Sequence, residues 1–269
     1  MLNDKSRRGA RDGDVVCRTL AQIGIDCERD ASQADGVRAV IAAGGDGTVI
    51  STAPLALDRG LPLGIVPLGT FNDLARTLGV PSDVEEACRA ILAGRTRTID
   101  LGLVNGHYFV NEASIGLTAR IARRQTPEVK QRLGFVGVAG TAIQGLAQAK
   151  PFHVTVEHDG VAEAFRTLQL TVANSGRFGG IVERADASLD DGWLDLYSLE
   201  VSSWLEAFKV AKKIAAHDPS SGDGLRTRRS KRFTVRARRP HHITTDGEPA
   251  GMTPATFEIV PRALAVFVP

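Results

Sequence analysis

Residues 37–43, VRAVIAA, form a short apolar run rich in β-branched residues that leads directly into a cluster of glycines. Such a run is typical of a buried strand in a parallel sheet, where apolar neighbours cover both faces. A helical pattern over residues 48–57 follows the glycines. The segment therefore predicts a strand–loop–helix unit, the building block of α/β folds.

The same order of elements is repeated further along the chain. Residues 63–66, LGIV, predict a second strand that Pro67 closes, and a helix is predicted over residues 72–78. Further helices are predicted over residues 15–23 and 83–93. This alternation indicates an open parallel α/β domain, and we assign it to residues 1–99.

The pattern changes near residue 100. Short alternating segments follow, separated by Asn-Gly and Asp-Gly pairs that are typical of tight turns between antiparallel strands. The pairs are Asn105-Gly106, Asp159-Gly160, Asp191-Gly192 and Asp246-Gly247. Helical patterns over residues 117–149 and 204–216 interrupt the strands. Residues 100–269 are therefore predicted to form a second, mainly antiparallel β domain.

The glycines at the end of the first strand suit a phosphate ligand. Gly44, Gly45 and Gly47 let the backbone approach a ligand closely, so that N–H groups can point at phosphate oxygens. A helix that starts near Thr48 would add the partial positive charge of its N-terminus. Asp46 cannot bind an anion itself, so it either holds Mg²⁺ or orders the loop. An ordinary turn between a strand and a helix is the alternative.

A second polar turn follows the second strand. It offers the hydroxyl of Thr70, the amide of Asn72 and the carboxylate of Asp73. Ligands of open α/β sheets bind where such turns gather at the carboxyl ends of parallel strands. The two turns together therefore predict a ligand site. The loop has neither the Lys-Ser/Thr pair of a Walker sequence nor the glycine spacing of a dinucleotide fingerprint.

Composition excludes several other classes of protein. With 43% hydrophobic and 24% charged residues and a net charge of +2, the chain gives no reason to expect a nucleic-acid partner. Cys17, Cys27 and Cys88 have no metal-like spacing and are interpreted as reduced thiols. The sequence contains no secretory signal and no apolar run of the ~18 residues that a membrane span needs. We therefore expect a cytoplasmic protein that meets any lipid by peripheral contact with a membrane surface.

Residues 44–48, GGDGT, followed by residues 67–76, PLGTFNDLAR, resemble the catalytic domain of the diacylglycerol kinase family, which includes bacterial soluble lipid kinases. NAD kinases and phosphofructokinases share the GGDG turn, but the second segment favours the lipid kinases. The resemblance implies an NAD kinase-like α/β domain followed by a β-sandwich. It also implies transfer of the γ-phosphoryl group of ATP to a lipid hydroxyl such as that of diacylglycerol. Residues 44–48, Val49, Ile50 and Thr70 would then line the ATP site.

The resemblance continues to the end of the chain, through residues 109–116, 173–180, 186–195 and 257–264. Taken by itself, the acidic turn at residues 190–192 is an ordinary hairpin turn. In relatives of this type it binds a structural Mg²⁺. Carried over by position, the ligands are Asp191 and oxygens at Ser188 and Trp193, and Trp193 can offer only its backbone carbonyl.

The turn Asp246-Gly247-Glu248 supplies two carboxylates separated by one glycine. Phosphoryl transfer needs positioning, charge neutralisation and a base near the attacking hydroxyl. The family places its proton acceptor in this motif, which assigns that role to Glu248. Asp246 is the competing candidate, or a helper at the metal. The resemblance thus implies that the second domain completes the active site, whereas the tripeptide alone would indicate a surface turn.

Two departures from the family leave alternatives open. Ile50-Ser51 stands where relatives have Asn-Glu, and the segment before residue 37 is shorter than usual. A nucleotide- or lipid-binding relative with weakened turnover is therefore one alternative, and a kinase of a soluble acceptor such as NAD is another. A homodimer is also left open.

Cations are frequent between residues 226 and 239. They include Arg228, Arg229, Lys231, Arg232, Arg236 and Arg238. These residues form either a solvated strand face or a basic patch that contacts anionic headgroups, with roughly 1 kcal/mol per cation near the surface.

Overall fold

This computed structural model describes residues 7–27, 36–69, 72–116, 150–174, 177–178, 182–183, 188–201, 206, 222 and 224–269. The chain divides into two compact units, Met1–Asp100 with Pro261–Pro269, and Leu101–Val260. The sequence assigned residues 261–269 to the second domain. They belong to the first unit instead, where Val266 pairs in parallel with Leu63.

The first unit is an α/β layer. Its helices and first strands are α1 (Arg7–Gln22), β1 (Val40–Gly44), α2 (Asp46–Arg59), β2 (Leu63–Pro67), α3 (Asp73–Thr77) and α4 (Val84–Ala93). β1 and β2 are parallel, in a register that joins Val40 to Leu63 and Gly44 to Pro67. Every residue of β2 is buried, which is why an unbroken apolar run marks this strand. The predicted parallel α/β arrangement is confirmed.

Capping residues account for the limits of the helices. The carboxylate of Asp83 accepts hydrogen bonds from the backbone N–H groups of Glu85 at 2.9 Å and Glu86 at 3.0 Å, which begins α4. Gly60 and Gly94 take left-handed conformations that end α2 and α4. The four predicted helices correspond to α1 to α4. The largest difference is that α1 begins at Arg7, eight residues before the predicted start at residue 15.

The second unit is built almost entirely of antiparallel strands. In chain order the strands are β3 (Thr96–Val104), β4 (His107–Phe109), β5 (Glu112–Gly116), β6 (Phe152–His158), β7 (Val161–Thr167), β8 (Gln169–Ala173), β9 (Arg177–Phe178), β10 (Val182–Glu183), β11 (Leu194–Leu199), β12 (Leu225–Ser230), β13 (Arg232–Ala237), β14 (His242–Thr245), β15 (Glu248–Met252) and β16 (Ala255–Phe267). Residues 96–100 of β3 and 261–267 of β16 belong to the first unit. One sheet contains the order β16–β13–β6–β7 and another has the order β12–β11–β8–β5–β14–β15.

These two sheets share one apolar core. Phe233, Val235 and Phe257 of the first sheet belong to the same buried cluster as Leu170 and Leu196 of the second. Two antiparallel sheets that pack on a common core form a β-sandwich. The predicted class of the second domain is therefore confirmed.

Three of the predicted tight turns join adjacent strands with positive φ at both central residues. The values are 51° and 80° at Asn105-Gly106, 47° and 77° at Asp159-Gly160, and 48° and 91° at Asp246-Gly247. Two consecutive positive φ angles define the type I′ turn, which matches the twist of a hairpin. At Asp191-Gly192 only the glycine has a positive φ, and this turn precedes β11 without closing a hairpin among the described strands.

The helical patterns at 117–149 and 204–216 fall outside the described residues, apart from Glu206. Within the part of the chain that the structure describes, no helix has both the length and the apolar character needed to cross a bilayer.

Candidate active site

The glycine loop joins the end of β1 to the start of α2. Gly45 precedes the helix without any side-chain capping bond, and the backbone N–H groups of Thr48 and Val49 both donate to the carbonyl of Gly45, at 2.9 Å and 3.2 Å. A Cβ on Gly44 would overlap the side chain of Thr48. The loop is therefore compact, and close packing requires a glycine at position 44, whereas a Cβ on Gly47 would meet nothing within 4 Å.

The second loop, after β2, packs directly against the first. A Cβ on Gly69 would lie closer than 3.0 Å to the Cα of Gly45 and 2.7 Å from Oδ1 of Asn72. The side-chain amide of Asn72 forms two hydrogen bonds with the backbone of Gly69. Its Oδ1 accepts from the N–H of Gly69 at 3.0 Å, and its Nδ2 donates to the carbonyl of Gly69 at 2.9 Å. The side-chain amide of Asn72 thus fixes the shape of the loop. The backbone of Asn72 has a φ of 50°, in the left-handed region.

Asp46 connects the two loops. Its Oδ1 accepts a hydrogen bond from the backbone N–H of Asp73 at 2.7 Å, and Asp73 in turn forms an ion pair with Arg76 at 2.6 Å. Of the two roles that the sequence left open for Asp46, ordering the loop is therefore observed. Its Oδ2 accepts no hydrogen bond from any described residue.

The other predicted nucleotide residues differ in their exposure. Thr48 and Val49 are buried, at 7% and 4% of full exposure, and Ile50 is half-buried. Since Val49 is part of the core, only its backbone is available to a ligand at the loop. Thr70 lies outside the described residues.

In the second unit, three motifs that are far apart in the sequence meet at Asp246. Its Oδ2 accepts from the N–H of Val110 at 2.8 Å, and its Oδ1 accepts from the N–H groups of Asn111 and Glu112, both at 3.0 Å. Asn174 joins this cluster, because its Nδ2 donates to the carbonyl of Val110 at 3.0 Å and its N–H donates to the carbonyl of Asn111 at 2.8 Å. The Asp246 carboxylate is thus the acceptor that holds the loop between β4 and β5.

Glu248 has different surroundings from Asp246. It is the first residue of β15, opposite Thr245 in the hairpin, and it is exposed. No described residue forms a hydrogen bond or ion pair with its carboxylate. The two carboxylates of the motif are therefore not equivalent, since Asp246 is engaged by three backbone donors and Glu248 is open to a ligand.

The residues of the predicted metal site, Ser188, Asp191 and Trp193, do lie together. However, the backbone N–H groups of Ser188 and Trp193 both donate to the Asp191 carboxylate, at 3.2 Å and 2.9 Å, and Arg229 donates to it at 2.5 Å. A full positive charge thus already lies against this carboxylate. The contacts do not fit a magnesium ion held by Asp191, and magnesium at this turn stays a prediction from the resemblance.

The cations of β12 are largely paired within the unit. Arg228 binds both oxygens of Glu163, at 2.5 Å and 2.7 Å, and Arg226 bridges Glu163 and Glu200. The hydrogen bonds from Arg228, and then the contact with His158, lower the pKa of Glu163 from 4.5 to about 2. Glu163 belongs to β7 of the other sheet and Glu200 follows β11, so the packing of the two sheets and the pairing of β11 with β12 both bring acids to these arginines. The basic run therefore cannot be treated as a single solvated patch.

The sequence did not reveal three of these partners. In the sequence Arg229 is one of many cations, and Asn111 and Asn174 are parts of longer motifs. Nothing in the local sequence pairs Asp191 with Arg229, or Asp246 with residues 110–112. The strand register that brings them together is a property of the folded sheet.

The two loops at the carboxyl ends of β1 and β2, and the β-sandwich with its Asp-Gly-Glu hairpin, define the class of the protein as α/β with a sandwich domain. Comparison with known sequences gives the family. The sequence model of the diacylglycerol kinase catalytic domain matches residues 14–104, and that of the YegS C-terminal NAD kinase beta sandwich-like domain matches residues 111–268. The chain belongs to the diacylglycerol kinase catalytic-domain family, as the motifs indicated.

Individual relatives agree with this assignment. A diacylglycerol kinase of Bacillus subtilis (strain 168) is 31% identical over 234 residues, which cover 86% of this chain and 77% of that protein. A crystal structure of a diacylglycerol kinase from Bacillus anthracis str. Sterne matches with a TM-score of 0.69 and 26% identity, over 93% of this chain and 82% of that one. The Synechocystis protein sll0036 is 28% identical over 89% of this chain, and the chain spans only 57% of its length.

Proposed function

We propose that this chain is an ATP-dependent kinase that transfers the γ-phosphoryl group to a hydroxyl of a lipid such as diacylglycerol. The observation that carries the proposal is the hydrogen bond from the N–H of Asp73 to Asp46, which joins the glycine loop to the polar loop that favours the lipid kinases. These loops end neighbouring parallel strands, and ligands of α/β sheets bind at such ends.

The proposed nucleotide site is formed by the backbone of the glycine loop. The absence of a side chain at Gly47 leaves room for phosphate oxygens to approach the backbone N–H groups, and the N-terminus of α2 adds a partial positive charge. Asp46 keeps the loop closed, and its remaining oxygen would hold a Mg²⁺ that accompanies the nucleotide. When bound there, such an ion would neutralise charge on the phosphates.

Glu248 is the proposed general base. It removes the proton of the lipid hydroxyl, whose oxygen forms a bond to the γ-phosphorus while the bond from that phosphorus to the ADP oxygen breaks. The exposed, unpaired carboxylate of Glu248 supports this role. The engagement of Asp246 by three backbone N–H groups supports a positioning role for Asp246, because its oxygens are already used as acceptors.

Contact with a lipid surface is proposed for the outer face of the β6, β7 and β13 strands. His153, Arg166, Arg236 and Arg238 line a groove of about 460 Å³ there, together with small residues such as Ala164. Arg236 is paired with Glu157, but no described residue forms an ion pair with Arg166 or Arg238. These two exposed cations suit anionic headgroups better than Arg226 and Arg228, which are already neutralised.

The membrane proposal is tested by co-sedimentation with vesicles of phosphatidylglycerol and phosphatidylcholine. We expect binding to rise with the phosphatidylglycerol fraction, to fall with salt, and to weaken in the double variant Arg166→Glu, Arg238→Glu. Arg89→Glu reverses the charge of another exposed arginine, on α4, and serves as the control that should bind as the wild type does. Equal binding by the double variant and the wild type would contradict the choice of this face.

Transfer of label from γ-labelled ATP tests the activity itself. Diacylglycerol in mixed micelles and NAD are offered in separate reactions, each with and without Mg²⁺. Label in the lipid alone supports the proposal, whereas label in NAD alone would reassign the chain to soluble-acceptor kinases. Nucleotide binding without transfer to either acceptor would identify a relative that has lost turnover.

A further inference from the structure

Arg229 contacts the acidic turn from a neighbouring strand. The register of β11 and β12 places Arg229 directly opposite Asp195. Its Nη2 lies 2.5 Å from Oδ2 of Asp191, and its Nε lies 4.0 Å from Oδ1 of Asp195. One guanidinium therefore lies between two carboxylates, one on each side of the start of β11.

These groups are shielded from water. The side chains of Arg229 and Asp191 keep 28% and 18% of their full exposure, and Asp195 is buried. Carboxylates in such surroundings need a nearby positive charge, because desolvation penalises an uncompensated anion. The fold itself provides that charge through Arg229.

The same contacts leave little room for a metal ion. Oδ1 of Asp191 accepts from Trp193, and Oδ2 accepts from both Ser188 and Arg229. A Mg²⁺ bound to either oxygen at about 2.0–2.1 Å would lie close to the guanidinium, and the two cations would repel each other.

The ring of Trp193 lies near two cations. The guanidinium carbon of Arg229 lies 5.6 Å from the centre of its ring, and Nζ of Lys231 lies 5.3 Å from it. Both distances are within the range of cation–π contacts. Lys231 therefore adds a second cation beside Trp193, one of the residues that the family resemblance would give to a divalent ion.

We propose that Arg229 supplies the positive charge that the resemblance assigns to a structural Mg²⁺, so that the acidic turn of this chain closes without a divalent cation. Closure of this turn by Arg229 requires neither nucleotide nor lipid. The proposal can therefore fail while the proposed kinase activity stands, and the reverse is equally true.

Thermal unfolding of the nucleotide-free protein, in EDTA and in millimolar MgCl₂, tests the proposal. We expect the Tm of the wild type to be the same in both buffers. Arg229→Gln should lower the Tm in EDTA by about 2–4 °C, and MgCl₂ should restore part of that loss. The double variant Asp191→Asn, Arg229→Gln should not respond to MgCl₂.

Arg228→Gln is the matched control, because it removes the neighbouring arginine of β12, which pairs with Glu163 and not with Asp191. It should lower the Tm equally in both buffers. Tb³⁺ luminescence sensitised by Trp193 gives a second measurement that does not depend on stability. We expect weak emission from the wild type, strong emission from Arg229→Gln, and loss of that emission when Trp193→Phe is added.

A rise of several degrees in the wild-type Tm with MgCl₂, abolished by Asp191→Asn, would overturn the proposal. The proposal is also overturned if Arg229→Gln is as stable as the wild type and binds no Tb³⁺. A double variant that is no less stable than Arg229→Gln alone supports the pairing of Arg229 with Asp191, whether or not MgCl₂ restores stability.

Discussion

Oδ1 of Asp46 accepts a hydrogen bond from the backbone N–H of Asp73 at 2.7 Å, across 27 residues of sequence. The bond joins the glycine loop after β1 to the polar loop after β2. The same two loops pack closely where Gly45 meets Gly69, and the hydrogen bonds between Asn72 and Gly69 fix the shape of the second loop at that contact. The proposed nucleotide site thus depends on contacts between the two loops as well as on the residues within each.

Two substitutions at Asp46 separate its charge from its hydrogen bond. Asp46→Asn keeps an acceptor for the N–H of Asp73, so we expect nearly wild-type stability but a loss of turnover of about 100-fold or more. Asp46→Ala removes the acceptor as well and should also lower the free energy of unfolding by about 1–3 kcal/mol. Chemical denaturation and the γ-labelled ATP assay measure the two effects. Full turnover in Asp46→Asn would show that the negative charge is not required.

Gly69→Ala should disrupt the contact between the loops. The added methyl group meets the backbone of Gly45 at less than 3.0 Å, so one loop has to move, at a cost of about 1–3 kcal/mol. We expect a lower Tm and weaker binding of a fluorescent ATP analogue. Gly47→Ala is the control for stability, since a Cβ there meets nothing within 4 Å and the residue is helical. Equal Tm values for the two variants would contradict the close packing of Gly45 and Gly69.

The two carboxylates of the Asp-Gly-Glu turn should give different phenotypes. Glu248→Gln should reduce kcat by about 10²- to 10⁴-fold, the usual contribution of a general base, with little change in Tm. Asp246→Asn places an amide NH₂ against backbone N–H donors, and each unsatisfied donor costs about 1–3 kcal/mol, so its Tm should fall by several degrees. Thermal unfolding and kinetics of both variants decide the assignment. A Glu248→Gln variant that has a lower Tm and a normal kcat would contradict the assignment of Glu248 as the general base.

The ion pairs of Glu163 predict a pH dependence of stability. Its pKa is about 2 in the folded chain against the ordinary value of 4.5, so the native state binds this proton more weakly than the unfolded state does. The contribution is therefore complete above pH 4.5 and is lost as the pH falls towards 2. Glu163→Gln should be less stable than the wild type by about 1 kcal/mol at neutral pH, and the difference should shrink between pH 4.5 and 2.

Glu85→Gln provides the comparison for Glu163. Glu85 pairs with Arg89 on the exposed surface of α4, where both side chains keep more than half of their exposure, and such pairs contribute about 0.3–0.5 kcal/mol. Denaturant titrations at several pH values measure both variants. A constant difference between Glu163→Gln and the wild type down to pH 2 would show that this carboxylate does not stabilise the fold through its charge.

Local sequence was sufficient wherever a short segment carried its own signal. The apolar run of β2, the Asp83 cap of α4 and the Asn-Gly and Asp-Gly turns each determine structure through backbone preferences and burial of neighbouring residues. The class of each domain follows from the order of such segments, and the family follows from the two glycine-containing motifs.

Only the tertiary structure decided which side chains meet. Asp246 receives N–H donors from residues 110–112, more than 130 residues earlier, and Arg229 reaches Asp191 from another strand. Residues 261–269 pair in the first unit for the same reason. Such contacts depend on strand register, and register is set by burial across a whole sheet, which no local stretch of sequence contains. The chain by itself determined its elements and its family, whereas the fold determined the partners of each carboxylate.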